Sequence, residues 1–303
     1  MYTGTTDREQ GRLVYHVHDS IKEFVDGTMT ATKEHPRPFN EGFPNESFHG
    51  CYLTNIHDAA KKANEPWEDG MRLIEEMIRE VERTKMPKLT SRKRRRQTDE
   101  YEGDDVDLHR LREGSPFWIK TKRKRTPNKS TITIMCEMSA AWFVPHKDLL
   151  WRGCAALSLT YLLEKAGYRV ELWAVKSSRN SHERGPCNHS LEAIKLKSHN
   201  LPVNIGLMAV AVSPWFYRTL GFHSMNLYKE ATPTKNAGFE YPEGMMTLAD
   251  LVSKDENILI VDTVWNREDA IKYIQKSSFA LEEGQMEVLN WAFSWERVMK
   301  EMN

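Results

Sequence analysis

Ser130-Thr131-Ile132-Thr133-Ile134-Met135, the run Asp148 to Gly167, and Tyr168-Arg169-Val170-Glu171-Leu172-Trp173-Ala174-Val175 together decide the fold of this chain. In the first segment Ile132 and Ile134 alternate with Thr131 and Thr133. A β-branched run of that kind favours a strand. The second predicts a helix of about five turns at 3.6 residues each. Leu149, Leu150, Ala156, Leu157, Leu159, Leu162 and Leu163 supply its apolar face, and Gly167 stops it. The third returns to period two, with Val170, Leu172 and Ala174 against Arg169, Glu171 and Trp173. Strand, helix and strand make a βαβ unit, so the chain is expected to open an α/β domain of Rossmann-like type there.

Downstream the alternation continues. Leu191 to Lys197 predicts a strand after the polar loop Ser177 to Ser190. Asn204 to Leu220 predicts an apolar helix interrupted near Pro214. Thr247 to Val252 predicts a short helix, and Asn257 to Val261 a buried strand ending at Asp262. Asn266 caps a helix from Arg267 to Lys276, and a last helix spans Gly284 to Met302. Alternating elements predict a mostly parallel sheet flanked by helices.

Upstream, residues 1–85 are expected to form a helical region. Helices are read at Val17 to Asp26 and at Asn55 to Ala63, with loop from Thr28 to Glu46. After Pro66, the spacing of Met71, Ile74, Met77, Ile78 and Val81 marks one buried helical face. Residues 86–129 form a charged connector. Leu108, Leu111, Phe117, Trp118 and Ile119 within it predict a short helix and a strand. The main α/β domain is placed at 130–303.

Composition bounds the function. Basic and acidic residues balance at 43 each, so no global field points to nucleic acid. Cys51, Cys136, Cys154 and Cys187 form no C-x-x-C pair and no disulfide framework, which favours a reducing compartment. No apolar run reaches the roughly 18 residues of a membrane span. The first residues, with Asp7, Arg8, Glu9 and Arg12, lack a signal-peptide core. A soluble, cytoplasmic protein is expected.

In an open parallel sheet, ligands bind beyond the carboxyl ends of the strands. The first such end is Met135-Cys136-Glu137-Met138-Ser139-Ala140-Ala141-Trp142. Here the sequence resembles a von Willebrand factor A domain, whose D-x-S-x-S motif holds magnesium. Glu137 stands in place of the Asp, Ser139 matches the first Ser, and Ala141 replaces the second. The resemblance implies an A-like fold with a degenerate ion site; Glu137, Ser139 and the strand-end Asp262 are its candidate ligands. A carboxylate and a hydroxyl suit a hard ion such as magnesium, but one ligand is missing, so no resident cofactor is expected.

Trp151-Arg152-Gly153-Cys154-Ala155-Ala156, Leu162 to Trp173, Trp67-Glu68-Asp69-Gly70 and Asp105-Val106-Asp107-Leu108 resemble an uncharacterised phage-associated set of proteins with a degenerate A-like domain. That resemblance implies a phage or mobile-element origin and no known activity.

Other candidates compete. Arg92, Lys93, Arg94, Arg95 and Arg96, with Lys120, Lys122, Arg123, Lys124 and Arg125, could neutralise phosphates, with Phe117 and Trp118 stacking on bases. Equally, the acidic stretch Asp99 to Asp107 could pair with them. His182, Cys187 and His189 share one polar loop and lack a fourth metal ligand. His16 and His18 suit one face of a strand and read as surface residues. Gly221-Phe222 marks either a partner-facing turn or core packing. Phosphate loops of the types G-x-x-x-x-G-K and G-x-G-x-x-G are absent. The expected function is a non-enzymatic scaffold that binds a protein partner, with nucleic-acid binding through the basic clusters as the alternative and metal-dependent hydrolysis third.

Overall fold

The structure is a computed structural model that describes residues 2–8, 11–34, 46–83, 95–99, 105–106, 108–122, 131–139, 144–180, 188–224, 236–237, 257–262 and 264–283. The chain forms two compact units, one of Met1–Pro87 with Ser130–Asn303 and one of Lys88–Lys129. In chain order the elements are β1 (Tyr2–Arg8), β2 (Gly11–His18), α1 (Ile21–Glu34), α2 (Glu46–His49), α3 (Ile56–Lys62) and α4 (Glu68–Arg83). The smaller unit holds β3 (Arg95–Asp99), β4 (Asp105–Val106), α5 (Leu108–Arg112) and β5 (Trp118–Lys122). Then follow β6 (Thr131–Glu137), α6 (His146–Lys165), β7 (Arg169–Asn180), β8 (Asn188–Lys197), α7 (Ile205–Ala211) and α8 (Pro214–Phe216). A π-helical turn (Tyr217–Gly221), β9 (Asn236–Ala237), β10 (Ile258–Val261) and α9 (Arg267–Glu283) complete the described elements.

The larger unit is an α/β structure. Its sheet has the order β1-β2-β8-β7-β6-β10, with β9 on β7. Strands β6 and β7 run parallel, with Ile132 opposite Val170, Ile134 opposite Leu172 and Cys136 opposite Ala174. On the other side of β6, β10 is also parallel, and Val261 is opposite Cys136. The hairpin β7–β8 is antiparallel, as is β1–β2, while β2 and β8 are parallel. The sheet is therefore mixed around a parallel β7-β6-β10 block.

Helix α6 is the centre of the core, packed against β6, β7, β10, α4 and α9. Leu149, Leu157, Leu159 and Leu163 are fully buried, but so are Arg152, Ser158 and Thr160, because the helix is enclosed nearly all round. Gly153 permits that enclosure: a Cβ there would lie 2.6 Å from the Val212 side chain. Gly167, at φ 94°, ends the turn; its N–H bonds Glu164 O, and Tyr168 N–H bonds Leu163 O. Helix α4 presents Ile74, Met77, Ile78 and Val81 to this core. Burying each contributes roughly 1.5–3 kcal/mol. The expected caps are present, with Asn55 Oδ1 accepting from Asp58 N–H and Asn266 Oδ1 from Asp269 N–H.

The first 85 residues depart from a purely helical region. Leu13 to His18 pair with β8, so this segment lengthens the sheet and belongs to the same unit as residues 130–303. The helix read from Val17 starts instead at Ile21, where Ser20 Oγ accepts from Glu23 N–H. It runs on through Glu34, into residues read as loop, since Thr28 and Ala31 continue its buried face. The helices expected at Thr247 to Val252 and Gly284 to Met302 lie outside the described residues.

Candidate functional site

The chain leaves β6 for β7 on one side, and β10 returns on the other, so the sheet's order reverses at β6. Ligands in such folds bind at that reversal, beyond the carboxyl ends of the strands. Glu137 ends β6, Ser139 follows it, and Asp262 follows β10 at the same end. The three candidate ligands read from the sequence thus lie at one end of the parallel block.

Its side chains are turned to local bonding. Glu137 is 1% exposed, and its Oε1 accepts from Ser139 N–H at 2.7 Å. Its Oε2 has no hydrogen-bond partner among the described residues. Burial pushes the Glu137 carboxyl above the usual carboxylate range, despite the Ser139 bond and the Arg152 guanidinium. Ser139 Oγ donates to Ser177 O at 2.9 Å and accepts from Ser177 N–H at 2.6 Å. Arg152, buried on α6, donates from Nη1 to Glu137 O and Ser139 O, each at 2.9 Å, and its guanidinium lies 4.5 Å from the Trp265 ring centre. Asp262 is 8% exposed and, with burial, helps push the Tyr273 hydroxyl upward. Tyr273 Oη donates to Ile260 O at 2.8 Å. Among the described residues, no group of three or more His, Cys, Asp and Glu side chains is arranged to hold a metal ion.

A second polar group crosses the sheet nearby. His16 lies opposite Glu192, and Glu192 opposite Lys176, so β2, β8 and β7 form one row. Lys176 Nζ pairs with Glu192 Oε2 and donates to Gly221 O at 2.7 Å and Ser224 Oγ at 2.6 Å. Ser224 Oγ lies 2.6 Å from Glu192 Oε2, and His18 Nε2 3.2 Å from Glu192 Oε1. An ionised carboxylate only accepts, so His18 carries its proton on Nε2. Burial alone would raise the Glu192 carboxyl, but Lys176 and His18 outweigh it and hold it well below the ordinary range. His16, 5% exposed, is lowered to about 4, chiefly by burial. The row borders a cavity of about 20 Å³ between Phe24, Met138, Phe216 and Tyr217, room for about one water.

His16 and His18 do share one face of a strand, yet they are buried rather than superficial. The sequence did carry a signal for this row. Lys176 continues the phase of Val170, Leu172 and Ala174, and Glu192 that of Ile194; opposite charges in the register of a buried face imply a buried pair.

In the smaller unit β5 lies between β3 and β4. Arg95 is opposite Lys122, Arg96 opposite Thr121 and Gln97 opposite Lys120. The fold thereby joins the two basic clusters, which the sequence separates by more than twenty residues. Arg92, Lys93, Arg94, Arg123, Lys124 and Arg125 lie outside the described residues, as do His182 and Cys187. His189 is a β8 position opposite Arg179. Gly221 is buried in the π-helical turn, and Phe222 packs against Tyr217 and Phe48.

No described helix is long and apolar enough to cross a membrane. No curated protein and no solved structure matches the chain. A family model described as a domain of unknown function (DUF7192) matches residues 5–283. The chain belongs to that family.

Proposed function

We propose that this protein is a non-enzymatic binding module whose α/β unit serves as a scaffold for a protein partner. The observation that carries this reading is the closure of the β6 end. The Ser139 hydroxyl already bonds both backbone groups of Ser177, and the Glu137 carboxyl is buried and favours its proton. A hydroxyl so engaged is poorly placed as a nucleophile, and a carboxyl buried to 1% exposure is closed to a cation that keeps several of its waters. In this reading the unit is an A-like domain whose ion motif has decayed, in the phage assembly or replication setting that its resemblance implies.

Calorimetric titration of the full chain with magnesium, manganese and zinc tests the reading. Heats of dilution alone are the expected result. Saturable binding that Glu137→Ala abolishes would restore an ion at the strand end and overturn it.

A further inference from the structure

The balanced charge of the chain conceals an imbalance between its two units. Of the 43 basic and 43 acidic residues, 14 basic and 7 acidic ones lie in Lys88–Lys129, so the larger unit carries 29 basic against 36 acidic residues. That unit also exposes apolar side chains where the start of α4 meets the start of α7. Trp67 N–H bonds Gly206 O there, and a Cβ at Gly206 would lie 3.1 Å from Met71 Sδ and 3.2 Å from Pro66 Cβ. Pro66 and Pro202 are exposed at this junction, and Leu201 and Leu207 are 59% and 41% exposed. On α7 every residue from Met208 to Ala211 is buried, which leaves Leu207 turned to solvent. A single exposed leucine needs no explanation, but a group of apolar side chains with a polar rim is the anatomy of a protein-binding surface.

The rim here is acidic. Glu65, Glu68 and Asp69, all exposed, stand on either side of Pro66 and Trp67. Asp69 pairs with Arg72 at 3.4 Å, whereas no ion pair among the described residues answers Glu65 or Glu68. Of the cations just before them, Lys62 is turned over the Trp215 ring and Lys61 is exposed, so negative charge is in excess. Rim charges of one sign favour a partner of the other and hasten its encounter.

We propose that this junction is a docking surface for a basic amphipathic segment of a partner protein. The segment's apolar side chains cover Leu201 and Leu207 while its cations meet Glu65 and Glu68. The proposal rests on the scaffold reading and gives that scaffold a place and a partner chemistry.

Fluorescence anisotropy with the full chain tests it, using a labelled peptide of about five helical turns with leucine along one face and lysine elsewhere. Saturable binding is expected, weakening as salt rises from about 50 to 300 mM. Leu201→Ser combined with Leu207→Ser should weaken it roughly 5- to 30-fold, the size of a central contact. Glu65→Lys should weaken it about 2- to 5-fold. Glu268→Lys, exposed on α9 and equal in its change of net charge, should keep the wild-type affinity. The same peptide with glutamate in place of lysine should bind about tenfold more weakly. All these positions are exposed, so every variant should melt with the wild type, which separates lost binding from lost folding. The proposal is overturned if the lysine peptide fails to bind, if the double leucine variant binds it as wild type does, or if Glu65→Lys and Glu268→Lys weaken it equally. Equal affinity for the glutamate peptide would also overturn it. Saturable metal binding at Glu137 would leave these peptide affinities unmoved, so this surface and the scaffold reading fail separately.

Discussion

Ser139 and Ser177 are joined by two hydrogen bonds through a single hydroxyl: Ser139 Oγ donates to the Ser177 carbonyl and accepts from its N–H. The side chain just past β6 thereby satisfies both backbone groups of a residue in β7, where strand pairing between β6 and β7 has ended at Glu137 and Val175. Ser139→Ala should cost about 1–3 kcal/mol, because it orphans a buried donor and acceptor together. Urea unfolding measures it; a midpoint equal to wild type would show that the clamp contributes nothing.

Glu137 makes an opposite-signed prediction about pH. Its folded-state value is raised by burial, so the folded chain holds that proton more tightly than the unfolded one. The associated stability is fully present below the ordinary carboxylate value of 4.5 and is lost as pH rises through the raised folded value. Glu137→Gln keeps an acceptor for Ser139 N–H and removes the proton. Thermal melts of the variant should therefore change less than wild type as pH rises above 4.5. Parallel curves for the two proteins would count against a Glu137 carboxyl raised by burial.

His16 acts in the other direction. Burial lowers it from 6.5 to about 4, so the unfolded chain binds more protons between those values. Its contribution is present above pH 6.5 and is lost as the pH falls toward 4. In His16→Gln the loss of melting temperature across that window should be smaller. An unaltered acid profile would assign the sensitivity to other groups.

Lys176 and Glu192 should couple strongly. Removing either partner leaves a buried charge uncompensated, at a cost of about 3–5 kcal/mol. Lys176→Met and Glu192→Leu combined should lose less than the sum of the single changes, with a coupling energy of about 0.5–3 kcal/mol. A double-mutant cycle in urea gives the number directly. Strict additivity would mean that the two side chains do not interact in solution.

Much of the larger unit was legible in its residue pattern. Ile132 and Ile134, the leucines of α6, and Val170, Leu172 and Ala174 repeat at periods that local geometry imposes, and Gly167 and Asn266 mark ends through local bonding. The strand-end corner at Glu137 and Ser139 was legible for the same reason, since it follows from where β6 stops. What escaped was β2. Leu13 to His18 is short, and its pairing with β8 spans more than 170 residues, so no local pattern names the partner. The row His16–Glu192–Lys176 escaped with it: phase marks Lys176 and Glu192 as inward-facing, but only the pairing of β8 with β7 and β2 brings the three together.

The amino-acid sequence by itself determined the strand–helix–strand from Thr131 to Val175 and the corner where β6 ends, because periodicity and capping act within a few residues. Only the tertiary structure decided what those residues face. Register across β2, β8 and β7 buried a lysine beside a glutamate, register across β3 and β5 set Arg95 opposite Lys122, and the backbone of Ser177 took the hydroxyl of Ser139. Burial and bonding partners are properties of contacts between distant segments, and they fix which polar groups are held in the core and which are positioned to meet a ligand.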